Sequence, residues 1–159
     1  MKFKLFLFIF FLCGSLLANE ISGIPKIIDG DSIKIKQQNI RLIFIDAPEL
    51  KQYCENSKEK LYSCGFSAKK NLLKMIDNKN LNCKYFSKDK YNRILAECFL
   101  PEKKDSINYQ MVKNGWAIVY RRYSFPNNFD LAENYAKKFK LGIWQGKFIT
   151  PELWRRKNK

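Results

Sequence analysis

The chain contains no histidine among its 159 residues. That single absence removes the Ser-His-Asp triad, the Cys-His pair and the histidine general base. Any hydrolytic chemistry must rest on carboxylates, lysine, tyrosine or a hard metal ion. None of the cysteine spacings is CxxC, so the cysteines do not read as a zinc site either. Acids are scarce: 15 stand against 30 lysines and arginines, a formal net charge of +15. Such an imbalance favours polyanionic partners and fast electrostatic association with them. After residue 18 there is no internal repeat, no low-complexity segment and no long Gly/Ser/Pro linker, which points to one domain with one core.

The chain also lacks an apolar run long enough to span a bilayer. MKFKLFLFIFFLCGSLLA, residues 1–18, opens with Lys2 and Lys4, continues as an apolar stretch from Leu5 to Leu12 and ends on small residues at Ala18. A span needs about 20 apolar residues, so this segment reads as a secretory signal peptide cleaved after Ala18. Cys13 would suit a lipoprotein, but Leu12 stands where such sites want a small residue. The mature domain is then 19–159, with no transmembrane anchor. Loss of Lys2 and Lys4 lowers the charge of +15 by two, to +13. Four cysteines remain, which in an exported protein read as two disulfides. Cys83 and Cys98 lie in LNCKYF and ILAECF, equidistant from a turn near Lys90 and Tyr91, and would face each other in a hairpin. That pairing leaves Cys54 with Cys64.

The first half after the leader is strand-like. IIDGDSIKI (27–35) reads as one strand interrupted by Asp29 and Asp31; a turn at 37–39 follows, then an apolar β-branched run from Ile40 to Ile45 that stops at Asp46-Ala47-Pro48. Residues 54–65 read as a polar loop. Residues 66–77 predict an amphipathic helix with Phe66, Leu72, Leu73 and Ile76 as its apolar groups. After the cysteine hairpin, a second helix starts at Asp105 or Ser106 and ends at Gly115, 116–120 forms a strand, and a third helix covers about 130–141. The tail 147–159 is basic and aromatic. Irregular alternation excludes a doubly wound parallel sheet. The order suits an α+β, mainly β fold: a small closed barrel of the OB type.

The polar residues that interrupt apolar strands are Asp29, Asp31, Arg41, Asp46, Glu49 and Arg93. Carboxylates are hard oxygen ligands for Ca²⁺ or Mg²⁺. A further carboxylate can orient or deprotonate a water, and two arginines can hold a phosphate and stabilise the charge that builds on it. These are parts for phosphodiester hydrolysis. The plainer alternative is that Arg41 forms an ordinary ion pair with Asp31 or Asp46, and that Glu49 is a solvated loop acid.

The stretches IDGDSIKI (28–35), IRLIFIDAPE (40–49) and DKYNR (89–93), in that order, resemble the thermonuclease, or staphylococcal nuclease-like, family. VKNGWAIVYRRYS (112–124), FPNN (125–128) and KKFKLGIW (137–144) are similar to its later segments, so the resemblance covers about 24–146. The paired cysteines and the ending LWRR resemble its secreted, disulfide-containing branch. The resemblance implies an OB-type five-stranded β-barrel with three α-helices. It also implies a Ca²⁺-dependent nuclease acting on DNA and RNA, with one Ca²⁺ per chain, cleavage of the 5′ P–O bond and 3′-phosphate ends. By position it implies Asp31, Asp46 and the backbone carbonyl of Ala47 as metal ligands, with Asp29 as an outer acid. Arg41, Glu49 and Arg93 take the catalytic positions, and Lys90, Tyr91, Tyr120 and Tyr123 the nucleic-acid contacts. Ala47 stands where Thr is usual, Asn92 where Gly is usual and Ser32 where Thr is common. No stable protein partner is implied, and a monomer is expected. The alternative function is a non-catalytic OB-fold nucleic-acid-binding protein, and a third is an adhesion protein acting through charge alone.

Overall fold

Residues 19–158 are described by a computed structural model. The expected leader, residues 1–18 with Cys13, lies outside the described residues. Ten short strands and four α-helices follow in order: β1 (Asn19–Gly23), β2 (Lys26–Ile27), β3 (Ser32–Ile35), β4 (Gln38–Leu42), β5 (Ile45–Asp46), β6 (Tyr53–Glu55), β7 (Leu61–Ser63), α1 (Cys64–Ile76), β8 (Leu81–Lys88), β9 (Ile94–Phe99), α2 (Ile107–Lys113), β10 (Ile118–Val119), α3 (Asn128–Lys138), a 3₁₀ turn (Gly142–Gln145) and α4 (Pro151–Lys157). Six strands form one sheet in the order β1-β8-β9-β4-β3-β2, with two-stranded pairs β10-β5 and β6-β7 beside it. All pairings are antiparallel except β4 with β9. This is an α+β, mainly β arrangement of the OB type.

The sheet makes its core by alternation. Ile33, Ile35, Ile40, Leu42, Leu81, Cys83, Ile94, Ala96 and Cys98 are buried, and they pack with Ala68, Leu72 and Ile76 of α1, Met111 and Val112 of α2, and Phe129 and Ala132 of α3. Each fully buried aliphatic side chain such as Leu72 contributes about 1.5–3 kcal/mol. Phe66 and Leu73, expected on the buried stripe of α1, are instead exposed; the spacing 68, 72, 76 defines the inward face, and Ala68 takes the place assigned to Phe66.

Several boundaries differ from the sequence reading for local reasons. IIDGDSIKI is not one strand but a hairpin: β2 and β3 pair through Ile27 and Ile33, and Asp29 and Asp31 sit in the turn between them. The turn is closed by the Ile28 and Asp29 amides donating to the Ser32 carbonyl (2.9 and 3.2 Å). The run Ile40–Ile45 is broken because Phe44 takes a left-handed conformation (φ 73°), so the chain turns before β5. The polar segment 54–65 holds the β6-β7 hairpin, stapled by the Cys54–Cys64 disulfide. The third helix begins two residues early, at Asn128, and ends at Lys138. A fourth helix, α4, occupies the tail, which the sequence reading described only as basic and aromatic. Its start is written in Thr150-Pro151: the Thr150 hydroxyl accepts from the Leu153 amide (3.3 Å), and Pro151 holds the first turn.

The β8-β9 hairpin is as expected. Cys83 faces Cys98 across it and the two form a disulfide. The turn is organised by Asp89, whose carboxylate accepts from the Tyr91 and Arg93 amides (2.9 and 3.0 Å). Asn92 lies in the left-handed region (φ 61°), which explains why Asn can stand in for Gly there. Asn92→Gly should therefore keep the stability of the parent, whereas Asn92→Val should lose about 1–2 kcal/mol, read as a shift in the thermal unfolding midpoint.

Candidate active site

Three of the acids belong to backbone that is tightly constrained. Gly30 lets the 28–31 turn press against the protein: a Cβ there would lie 2.7 Å from that of Ala47 and 2.9 Å from that of Ala68. Asp31 is thereby buried. Its amide donates to Asp29 Oδ1 (2.9 Å), and its Oδ2 accepts from the Ala47 amide (3.0 Å). Asp46 is fully buried on β5, opposite Ile118 of β10. Glu49 lies on the loop that follows Pro48. Its carbonyl packs against Gly65 at the start of α1, where a Cβ would fall 1.7 Å from the Glu49 oxygen.

Arg41, on β4, joins the acids. Its Nη1 donates to Asp31 Oδ1 (3.0 Å) and its Nη2 to Asp46 Oδ1 (2.9 Å) and to the Ile45 carbonyl (3.3 Å). The ion pairs named as the plainer alternative are thus both made. They do not disperse the constellation; they draw Asp31 and Asp46 onto one edge of one guanidinium. Burial works against the charge of Arg41, but Asp31 and Asp46 outweigh it and hold its pKa above the ordinary value. Burial pushes Asp46 up. Burial, together with the charge of Asp31, pushes Asp29 up to about 6.

A basic groove of about 1,100 Å³ opens over this cluster. Asp29, Asp31, Arg41, Glu49 and Arg93 line it, with Lys90, Tyr91, Tyr120 and Tyr123. Asp46 and Ala47 are buried beneath it. Arg93 is held by Asp89, its Nε donating to Asp89 Oδ2 (2.8 Å). Burial raises the Asp89 pKa, but the bonds from Arg93 and Tyr91 outweigh it and hold that carboxyl below its ordinary value. Tyr91 is largely exposed, with Lys90 and Arg93 over its ring (5.0 and 5.7 Å to the centroid). Tyr120 stands edge-to-face with Tyr123 (5.4 Å) and under Arg41 (5.6 Å).

A model of the staphylococcal nuclease homologue family matches residues 39–146. The chain belongs to this family. An uncharacterized endonuclease of Escherichia coli is 31% identical over 156 residues, 94% of each chain. One of Haemophilus influenzae is 33% identical over 86% of this chain and 73% of that protein. The thermonuclease of Staphylococcus hyicus is 32% identical over 80% of this chain and 78% of its own. The matched family segment contains Arg41, Asp46, Ala47, Glu49 and Arg93; it starts after Asp31 and ends before α4.

Ca²⁺ is the ion associated with the family, and the donor set suits such a hard cation. Two buried carboxylates converge with Glu49 beside them, and the acids at 29 and 46 are held above their ordinary pKa values by burial, a cost that a nearby cation relieves. Among the described residues no three acids form a closed cage, so water or substrate oxygens would complete the shell, as hard dications commonly allow. Asp31, Asp46 and the neighbouring Ala47 backbone are the groups that would hold it.

The sequence reading missed four residues that build this nuclease-family site. Arg155 of α4 forks onto Asp46, Nη1 to Oδ1 at 2.9 Å and Nη2 to Oδ2 at 3.0 Å, and reaches Glu49 Oε1 at 2.7 Å. Gln52 is fully buried; its Oε1 accepts from the Glu49 amide (3.2 Å) and its Nε2 donates to the Ile149 carbonyl (2.8 Å). Asn108 donates to the Ile43 and Ala96 carbonyls (both 2.9 Å), fixing the turn between Arg41 and Asp46. Glu133 accepts from the Val119 amide (2.8 Å), and so steadies the partner strand of β5. Only Asn108 carried a usable signal, an amide set between Ile107 and Tyr109 in a predicted helix. Gly65→Ala should lose about 1–3 kcal/mol through overpacking and shift the amide resonances of residues 49–52, a pair of effects read by thermal unfolding and NMR.

Proposed function

We propose that this chain is an exported, Ca²⁺-dependent, sugar-nonspecific nuclease. It hydrolyses phosphodiester bonds of DNA and RNA at the 5′ P–O bond and leaves 3′-phosphate ends. The observation that carries the reading is the opening of Arg41, Glu49 and Arg93 onto one basic groove, directly above Asp31 and Asp46. Family membership and relatives named endonuclease and thermonuclease support the same chemistry.

Asp31, Asp46 and the Ala47 carbonyl hold the cation in this reading. Bound there, Ca²⁺ supplies a fixed positive charge that offsets the charge developing on the scissile phosphate. Arg41 and Arg93 orient the phosphate and share that charge through charge-assisted hydrogen bonds. Glu49 positions the attacking water and accepts its proton, a role open to a carboxylate in a chain without histidine. Asp29 supports Asp31 through the turn amide. Lys90 meets phosphate, while Tyr91, Tyr120 and Tyr123 offer faces for bases. The leader-like residues 1–18 and two disulfides support an oxidising compartment outside the cytoplasm. The protein acts as a monomer.

Glu49→Ala and Arg93→Ala should each lower kcat at least about a hundredfold with an unchanged circular dichroism spectrum. Full activity in either variant sinks the assignment. EGTA should stop cleavage of both DNA and RNA, and Ca²⁺ should restore it better than Zn²⁺. End-labelled oligonucleotides should yield 3′-phosphate products; 3′-hydroxyl products would reverse the assigned bond.

A further inference from the structure

We propose that Arg155 is the resident cation of the carboxylate cluster, and that helix α4, by holding it there, sets the affinity of the site for its metal ion. This builds on the reading of Asp46 as a metal ligand given above. Among the described residues Asp46 pairs only with Arg41 and Arg155, and Glu49 only with Arg155. Asp46 is fully buried, so the Arg155 fork takes up both of its oxygens at once. A calcium ion sits about 2.3–2.6 Å from its ligand oxygens. Guanidinium nitrogens lie 2.7–3.0 Å from those same oxygens. Both cations cannot occupy one place, and two like charges there repel.

The helix that delivers Arg155 is held lightly. It has seven residues, too few to be stable alone, and Pro151 is the one buried residue in it. Arg122 pairs with Glu152 at the groove edge. Before the helix, the Glu55 amide donates to the Lys147 carbonyl (2.8 Å) and Gln52 to that of Ile149. Gln52 also holds the Glu49 amide, so the Glu49 loop and the tail share one anchor. The Arg122–Glu152 pair is exposed to water and holds α4 only weakly. Metal entry and α4 docking are therefore opposed: each lowers the affinity of the site for the other by the same factor.

Calorimetric titration of the refolded 19–159 protein with CaCl₂, without nucleic acid, tests this. Arg155→Gln should bind Ca²⁺ about ten- to a hundredfold more tightly than the parent, because the ion no longer has to break charge-assisted bonds. Arg156→Gln removes the same charge one residue away and should change affinity about threefold at most, as expected for an exposed charge. Arg122→Gln touches neither acid, loosens α4 through Glu152, and should give an intermediate gain. In the parent, saturating Ca²⁺ should speed amide hydrogen exchange across residues 151–157. Equal affinity in the parent and Arg155→Gln, or a gain no larger than that of Arg156→Gln, overturns the proposal alone. Unchanged exchange in α4 at saturation does the same. Absence of Ca²⁺ binding to the parent and all three variants overturns the metal reading of Asp46, and the proposal with it.

Discussion

The buried chain Asp31–Arg41–Asp46 is the interaction on which the site depends. Two carboxylates and one guanidinium leave water together, and their desolvation is repaid only by close geometry and full hydrogen bonding. Every local departure from regular structure around them serves that geometry. The 28–31 turn closes against Ala47 and Ala68 because residue 30 has no side chain. The left-handed Phe44 breaks a strand so that Arg41 and Asp46, five residues apart, meet on the same side. Asn108 and Glu133 then secure the backbone on either side of the break. Removing one member of a buried ion group typically costs about 3–5 kcal/mol because its partners stay behind uncompensated. The same constraint makes these residues structural and functional at once.

Charge is layered. The acids lie low, at 0% exposure for Asp46 and 4% for Asp31, while Lys90, Arg93, Arg122 and Arg156 stand along the groove above them. A polyanion approaching the groove meets cations first, and the excess of +15 over the chain lengthens the reach of that attraction at low salt. The carboxylates would repel a phosphate if they were exposed and unpaired. Burial under guanidinium groups keeps them available to a cation and hidden from the substrate.

Arg41 and Asp46 were visible because charged groups inside apolar strands are rare unless something neutralises them; Asp29, Asp31, Glu49 and Arg93 lie in turns and a loop and were visible through the resemblance of their motifs to the family. The cysteine hairpin was legible because symmetric spacing about a turn admits one register. The hairpin nature of IIDGDSIKI was not read, although Asp29-Gly30 is a turn sequence, because the isoleucines on either side suggest one strand with acids set into it. The β6-β7 pair escaped because its strands are three residues each and take their stability from a disulfide rather than from an apolar face. Helix α4 had a start signal in Thr150-Pro151, but seven residues with one buried side chain leave no periodic pattern to read.

Arg155 is the strongest case of what sequence alone does not reveal. It lies 106 residues from Glu49 and 109 from Asp46, and its neighbour Arg156 is identical in kind. Nothing local distinguishes the two; a helical turn decides which one faces the acids. A buried pair of carboxylates must be neutralised, and this chain tethers two guanidinium groups to them: Arg41, built into β4 between Asp31 and Asp46, and Arg155, delivered by the short helix α4. A tethered cation keeps the acidic cluster folded before any ion arrives, which a chain carrying so few acids and so much positive charge can supply at little further cost. In the proposed opposition of α4 and the metal ion, stability of the metal-free fold and tightness of metal binding are drawn from the same oxygens. Whatever strengthens the docking of α4 must weaken the hold of the site on its ion.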